Sequence, residues 1–154
     1  MSARFVLTGA PDTENPAAVP ASTLDAWHRE GVVEWWGHRT DMPEVIAQAT
    51  IVCLPSTYGE GVPKILIEAA ASGRPIVAYD ASGIREIVRH GENGLLVAPK
   101  DIGALADALG RLIRSPSVCA DMGMRGREIA ASEFSEGVVA AKTLELYDEL
   151  LSRS

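Results

Sequence analysis

The stretch TIVCLPSTYGEGVPKILIEAAASGRPIVAYD, residues 50–80, contains two short apolar runs separated by a glycine-rich turn and a helical segment. The runs at 50–55 and 75–80 are almost continuously apolar, which is typical of parallel strands that are buried on both faces. Between them, Pro63 and Gly73 mark the start and the end of a helix over residues 63–73. The stretch therefore predicts a strand–helix–strand unit.

The same alternation of apolar runs and helical segments continues on both sides of this unit. We predict further strands at 4–9, 32–37 and 95–99, and further helices at 22–31, 41–49, 101–115, 116–131 and 135–152. Ser22 or Thr23 and Asp101 are suited to cap two of these helices, and Gly31 is suited to end the first. The pattern predicts a doubly wound, Rossmann-like α/β fold, with a mostly parallel sheet of about five strands, helices on both faces and C-terminal helices.

Composition excludes several functional classes. The 154 residues are 47% hydrophobic and carry a formal net charge of −7, which argues against a nucleic-acid-binding surface. Because there is no secretory signal and no apolar run of about 18 residues, we expect a cytoplasmic protein. The cysteines have no metal-binding spacing, and Cys53 is expected to be a small residue of the core.

Two glutamates, Glu60 in the turn and Glu68 on the helix, are candidates for ligand binding. A lone glutamate beside glycine is ordinarily a solvated turn residue, and Glu68 alone could be an exposed helix residue. However, Gly59 and Gly61 allow a ligand to approach the backbone, and the helix start at Pro63 favours phosphate. Carboxylates repel phosphate but accept hydrogen bonds from diols, so together these residues indicate a ligand with both groups, such as a sugar nucleotide.

The stretch EGVPKILIEAAASGRPIVAYDASGIREIVRHGENGLLVAP, residues 60–99, resembles the E-x7-E region of the retaining, group 1 glycosyltransferases of GT-B fold. The preceding stretch VVEWWGHRTDMPEVIAQATIVCLPS, residues 32–56, is similar to the strand–glycine–helix–strand block of the same family. The resemblance extends over about residues 4–150 and is strongest to the branch that synthesises bacterial capsule, exopolysaccharide and lipopolysaccharide. It implies that residues 1–154 form a single donor-binding domain, the C-terminal half of such an enzyme.

The resemblance also implies roles for individual residues in binding a nucleotide-sugar donor, with UDP as the expected nucleotide. Glu60 would be the catalytic residue that contacts the donor sugar, and Glu68 would accept from the ribose hydroxyls. Backbone groups around Gly61 and Val62 would hold the sugar and the diphosphate. The other expected contacts in this segment are Gly59, Pro63 and Lys64, although Lys64 could instead be a simple surface cation. No metal and no other cofactor is expected.

Further upstream, the resemblance places Gly37, His38 and Arg39 against the nucleobase. His38 and Arg39 could also be ordinary loop residues. The nucleotide base, the sugar, the acceptor and the linkage are left open by the sequence.

Two features of the family have no counterpart in this sequence: the N-terminal acceptor domain, and a strand with a G-R…K pair that would precede Arg4. We therefore expect this chain to be inactive alone. If that strand is central in the family's sheet, its neighbours here would be 4–9 and 50–55. We expect either direct closure, with 4–9 pairing beside 50–55, or a dimer through the exposed sheet edge.

The leading functional hypothesis is the donor-binding domain of a glycosyltransferase that transfers a sugar to a glycan or lipid-linked acceptor in cell-surface polysaccharide synthesis. In the full-length protein it could lie at the inner face of the membrane. The alternative is a catalytically silent module that binds a nucleotide-sugar for regulation. A dehydrogenase-type domain is disfavoured because TGAPDTEN, residues 8–15, does not supply a G-x-G-x-x-G motif after the first strand.

Overall fold

The computed structural model describes residues 3–15, 18–57 and 61–152, and these contain five short strands and seven helices. The strands are β1 (Val6–Leu7), β2 (Glu34–Trp35), β3 (Val52–Leu54), β4 (Ile76–Tyr79) and β5 (Gly94–Val97). The helices are α1 (Ala21–Arg29), α2 (Met42–Gln48), α3 (Lys64–Ala71), α4 (Ser82–Ile87), α5 (Ile102–Ile113), α6 (Pro116–Glu133) and α7 (Glu136–Ser152). The chain divides into two compact units, Met1–Met42 and Pro43–Ser154.

In the first unit, β1 and β2 form a parallel pair that α1 connects. Val6 lies opposite Glu34 and Leu7 opposite Trp35. Helix α1 follows Pro20, which occupies the N-cap position in an extended conformation without a side-chain hydrogen bond. The prediction that Ser22 or Thr23 caps this helix is therefore wrong, because the helix starts earlier and includes both residues. Gly31 ends the helix as predicted, with a φ of +73° that other residues rarely adopt.

In the second unit, β3, β4 and β5 form a parallel sheet with β4 in the middle. Every residue of β4 is buried, and its first three side chains alternate between two clusters of the core. Ile76 and Ala78 pack with Leu66 of α3, whereas Val77 packs with Leu112 of α5. Helices thus cover both faces of this sheet, as the continuous apolar runs predicted.

The strand pairing confirms the α/β class but corrects two expectations. All pairings are parallel, yet the strands form two sheets, of order β1-β2 and β3-β4-β5. Within the first unit β1 pairs with β2. The expected pairing of 4–9 beside 50–55, which would join the two units, stays a prediction. The expectation that Cys53 belongs to the core is wrong. It points away from the α3 side, which Val52 and Leu54 face, and it is exposed and outside the second cluster of the core.

Helix α3, which follows the glycine-rich turn, is fixed between the sheet and α6. Its residues Leu66, Ala69 and Ala70 recur at the spacing of one helix face and are fully buried. On α6 the contact is made by glycine: a Cβ atom on Gly123 would lie 2.2 Å from the carbonyl oxygen of Gly73. The position of α3 therefore depends on backbone-to-backbone packing.

Candidate functional site

A cleft of about 310 Å³ opens in the second unit, beyond the carboxyl ends of β3 and β4. It is lined by Leu54, Ser56, Gly61, Pro63, Lys64, Ile65, Ala81, Gly83 and Ile84. Two walls can be distinguished: the start of α3 with the residues before it, and the start of α4. Ligands of parallel α/β sheets bind at this edge, so the cleft is the candidate site.

The first wall is built by the start of α3. Pro63 has φ −64° and ψ 121°, and its carbonyl accepts the first helical hydrogen bond, from the Leu66 amide at 3.0 Å. No side chain of the described residues caps this helix, so the amides of its first turn are the polar groups that the wall offers. Such a helix start favours an anionic ligand.

Lys64 and Glu68 form an ion pair along this helix. The Lys64 Nζ lies 3.4 Å from Glu68 Oε1, with the lysine side chain 88% exposed and the glutamate side chain 29% exposed. Exposed pairs of this spacing contribute only about 0.3–0.5 kcal/mol, so the lysine can leave the glutamate at little cost. Lys64 is the one cationic side chain among the cleft-lining residues that the structure describes.

The second wall is held by an ion pair between Asp80, at the end of β4, and Arg85 of α4. The guanidinium Nε and Nη2 donate to the two carboxylate oxygens of Asp80, at 2.5 and 3.0 Å. These bonds from Arg85 hold the pKa of the Asp80 carboxyl below its ordinary value, against an opposing effect of burial. The Asp80 amide also donates to the Val97 carbonyl of β5, at 2.8 Å.

The cleft includes some of the predicted site residues and adds others. Gly61, Pro63 and Lys64 line it, whereas Val62 and Glu68 belong to the same segment without lining it. The predicted residues Gly59 and Glu60 lie outside the described residues. Ser56, Ala81, Gly83 and Ile84 were not predicted as individual site residues. The first three lie in segments that follow predicted strands, which is where ligands of such sheets bind.

The predicted nucleobase residues belong to the first unit. Gly37 has a φ of +66°, and its carbonyl accepts from the Gly9 amide at 2.7 Å. Arg39 forms a two-bond ion pair with Asp41, which lowers the pKa of the Asp41 carboxyl, and its guanidinium carbon lies 5.8 Å from the centre of the Trp36 ring. The side chain of Arg39 is therefore already engaged, while His38 is exposed.

Two further findings concern the described residues as a set. They contain no group of three or more His, Cys, Asp and Glu side chains placed to hold a metal ion. None of their helices combines the length and the apolar character that crossing a membrane requires.

Comparison with known proteins places the chain in a family. Residues 2–115 match the model of the domain described as "Glycosyl transferases group 1". The chain belongs to the group 1 glycosyltransferase family. The fold of this group 1 chain is that of the C-terminal domain of GT-B glycosyltransferases, which confirms the resemblance to the group 1 family and the α/β fold class.

Individual relatives of this group 1 chain are longer than the chain itself. It is 42% identical over 122 residues to the exopolysaccharide phosphotransferase of Streptomyces coelicolor, covering 79% of the chain and 13% of that protein. It is 30% identical over 149 residues to N,N'-diacetylbacillosaminyl-diphospho-undecaprenol alpha-1,3-N-acetylgalactosaminyltransferase of Campylobacter jejuni, covering 97% of the chain and 38% of that protein.

A solved structure is similar over nearly the whole chain. The Anabaena protein HepE in complex with UDP is 26% identical, with a TM-score of 0.80, over 98% of this chain and 41% of HepE. HepE has also been crystallised in complex with UDP-glucose. The group 1 chain thus spans less than half the length of each of these three proteins.

Proposed function

We propose that this chain binds the nucleotide-sugar donor of a retaining glycosyltransferase, and that the donor is a UDP-linked sugar. The observation that carries the proposal is the cleft beyond β3 and β4, lined by the residues at the start of α3. Support comes from membership of the group 1 family and from the similar HepE protein, which binds UDP and UDP-glucose.

In this proposal the first wall of the cleft receives the diphosphate. The amides at Gly61 and Val62 and at the start of α3, after Pro63, donate to phosphate oxygens, and the Lys64 ammonium adds a charge. Charge that develops on the departing diphosphate is stabilised by these fixed donors, so no metal is required. Glu68, released from Lys64, accepts hydrogen bonds from the ribose hydroxyls.

Three parts of the proposal rest on the sequence resemblance alone. Glu60, next to Gly59, is the catalytic residue that contacts the donor sugar. Gly37, His38 and Arg39 contact the nucleobase. The acceptor is a glycan or lipid-linked glycan of cell-surface polysaccharide synthesis, bound by an N-terminal domain of a longer cytoplasmic protein that could lie at the inner membrane face.

An NMR titration of the chain with UDP tests donor binding. We expect shifts of amide signals at residues 61–68, and we expect Glu68→Gln to weaken binding by about three- to tenfold through loss of a charged acceptor. Glu145→Gln, at an exposed position of α7, is the matched control and should bind UDP like the wild type. Shifts confined to residues 116–152, or equal affinities of both variants, would refute the proposal.

Turnover separates the enzyme from a catalytically silent binding module. In the full-length protein, Glu60→Gln should lower turnover more than donor affinity if its contact strengthens as charge develops on the sugar. A full-length protein that binds UDP-sugar and transfers nothing would support the silent module.

A further inference from the structure

The second wall of the cleft is formed by the start of a short helix, α4. Helix α4 has six residues, and isolated helices of this length are unstable in water. Within the described residues no side chain caps its start, where Ala81 occupies the N-cap position. Two buried residues, Ile84 and Ile87, attach one face of the helix to the core. At the end of the helix the buried Asn93 amide donates to the Ile87 carbonyl at 2.8 Å. The residues at its start are linked to β4 by the pair of Asp80 and Arg85.

This pair spans the part of the chain that lines the cleft. Asp80 is tied to β5 through its own amide, which donates to the Val97 carbonyl at 2.8 Å. Arg85 extends from α4, and its two-bond contact with the carboxylate closes a loop over residues 81–84. Ala81, Gly83 and Ile84, three of the four residues inside that loop, line the cleft.

The geometry of the pair matters more than its contribution to stability. The side chains of Asp80 and Arg85 are 37% and 60% exposed, and ion pairs at such positions stabilise a fold only slightly. However, two parallel N–H···O bonds fix the relative orientation of a guanidinium and a carboxylate, which a single bond does not. The expected consequence of losing the pair is a less ordered wall in a protein that remains folded.

We propose that Asp80 and Arg85 are positioning residues of the donor site, which act by holding the wall formed by residues 81–84 and do not themselves touch the donor. This inference rests on the proposed function, since the ligand that the wall would contact is the nucleotide-sugar. Neither Asp80 nor Arg85 is among the residues that line the cleft.

The direct rival is that Arg85 itself binds the phosphates, with Asp80 holding the guanidinium until the donor arrives. The two possibilities predict opposite effects of the substitution Asp80→Asn on donor affinity. If Arg85 positions the wall, Asp80→Asn removes its partner and weakens binding. If Arg85 binds phosphate, the same substitution frees the guanidinium and strengthens binding.

The experiment measures UDP-glucose affinity by calorimetry or NMR for the chain and its variants, together with Tm. We expect Arg85→Ala and Asp80→Asn each to weaken binding by about three- to tenfold, the range for one lost orienting hydrogen bond, and Arg85→Lys to fall in between. The double variant Arg85→Ala/Asp80→Asn should be no weaker than either single one, because both remove the same contact. Tm should change little in all of them.

The matched control is Arg125→Ala on α6. Arg125 also forms exposed ion pairs, with Glu92 and Glu128 at 3.3 and 3.0 Å, but it does not line the cleft. It should bind UDP-glucose like the wild type. The charge-reversed variant Asp80→Arg/Arg85→Asp should recover part of the affinity that either single substitution removes.

Each outcome decides between the possibilities. Wild-type affinity in Arg85→Ala, a loss that is matched by Arg125→Ala, or tighter binding by Asp80→Asn would each overturn the positioning role while leaving the proposed function in place. No binding of UDP-glucose by the wild type would overturn both. Parallel losses in Arg85→Ala and Asp80→Asn at unchanged Tm would support the positioning role.

Discussion

Replacing Gly123 with alanine tests whether the close packing of α3 on α6 holds the first wall of the site. A Cβ atom at position 123 would lie 2.2 Å from the carbonyl oxygen of Gly73 and 2.9 Å from its carbonyl carbon. Both are backbone atoms, so no side-chain rotation can relieve the overlap. Helix α6 would have to move about 1 Å away from α3 to restore an ordinary contact.

Two effects of opposite sign set the magnitude. Overpacking of a well-packed core typically costs about 1–3 kcal/mol, and a clash between two backbone segments belongs at the upper end of that range. Alanine is favoured over glycine inside a helix by about 1 kcal/mol, which offsets part of the cost. We therefore expect Gly123→Ala to lower the free energy of unfolding by about 1–2 kcal/mol.

Urea denaturation followed by circular dichroism measures this change, with Gly137→Ala as the matched control. Gly137 also lies in a helix, α7, but a Cβ atom there would meet nothing within 4 Å. The control should thus be neutral or slightly stabilising through helix propensity alone. If Gly123→Ala is as stable as Gly137→Ala, the helices are not in the close contact described and the reasoning is refuted.

Three further predictions concern single side chains. Asn93→Ala should lower the free energy of unfolding by about 2–4 kcal/mol in urea denaturation, because the fully buried amide makes bonds of 2.8 and 2.7 Å to the backbone at 87–89. Asp101→Ala should cost about 1 kcal/mol in the same assay by removing the N-cap of α5, whereas Asp101→Asn should cost less. In an NMR pH titration, Arg85→Ala should raise the pKa of Asp80 toward its ordinary value, because the hydrogen bonds from Arg85 are the main cause of the lowering. In the wild type, the ion pair lowers the pKa of Asp80 and stabilises the fold fully at pH values above the ordinary carboxyl pKa. This stabilisation is lost as the pH falls through the lowered pKa of the folded protein.

The order and the approximate extent of the helices and strands could be predicted from the sequence. Continuous apolar runs marked β3 and β4, and Pro63 and Asp101 stand at the starts of α3 and α5 as predicted. These signals are local: a burial pattern or a cap involves residues within a few positions of each other. Where a local signal was ambiguous, as at the start of α1, the prediction missed the cap.

The family could also be predicted from the sequence, because the spacing of the glutamates, glycines and prolines over residues 60–99 is typical of it. The match to the family model confirmed this prediction. Gly61, Pro63 and Lys64 were predicted as site residues from the glycine-rich turn, the helix start and the family resemblance. Those three residues do line the cleft.

The tertiary structure decided which distant residues meet. The position of residues 81–84 after a predicted strand indicated only that they lie near the ligand-binding edge. No local pattern indicates that the strands pair as two sheets, or that Gly123 lies against Gly73. Such contacts depend on how whole elements pack, and many packings are compatible with the same helices and strands. The sequence by itself therefore determined the elements, the family and one wall of the site. The second wall, with the Asp80–Arg85 pair that holds it, exists only because β4, β5 and α4 are brought together in space.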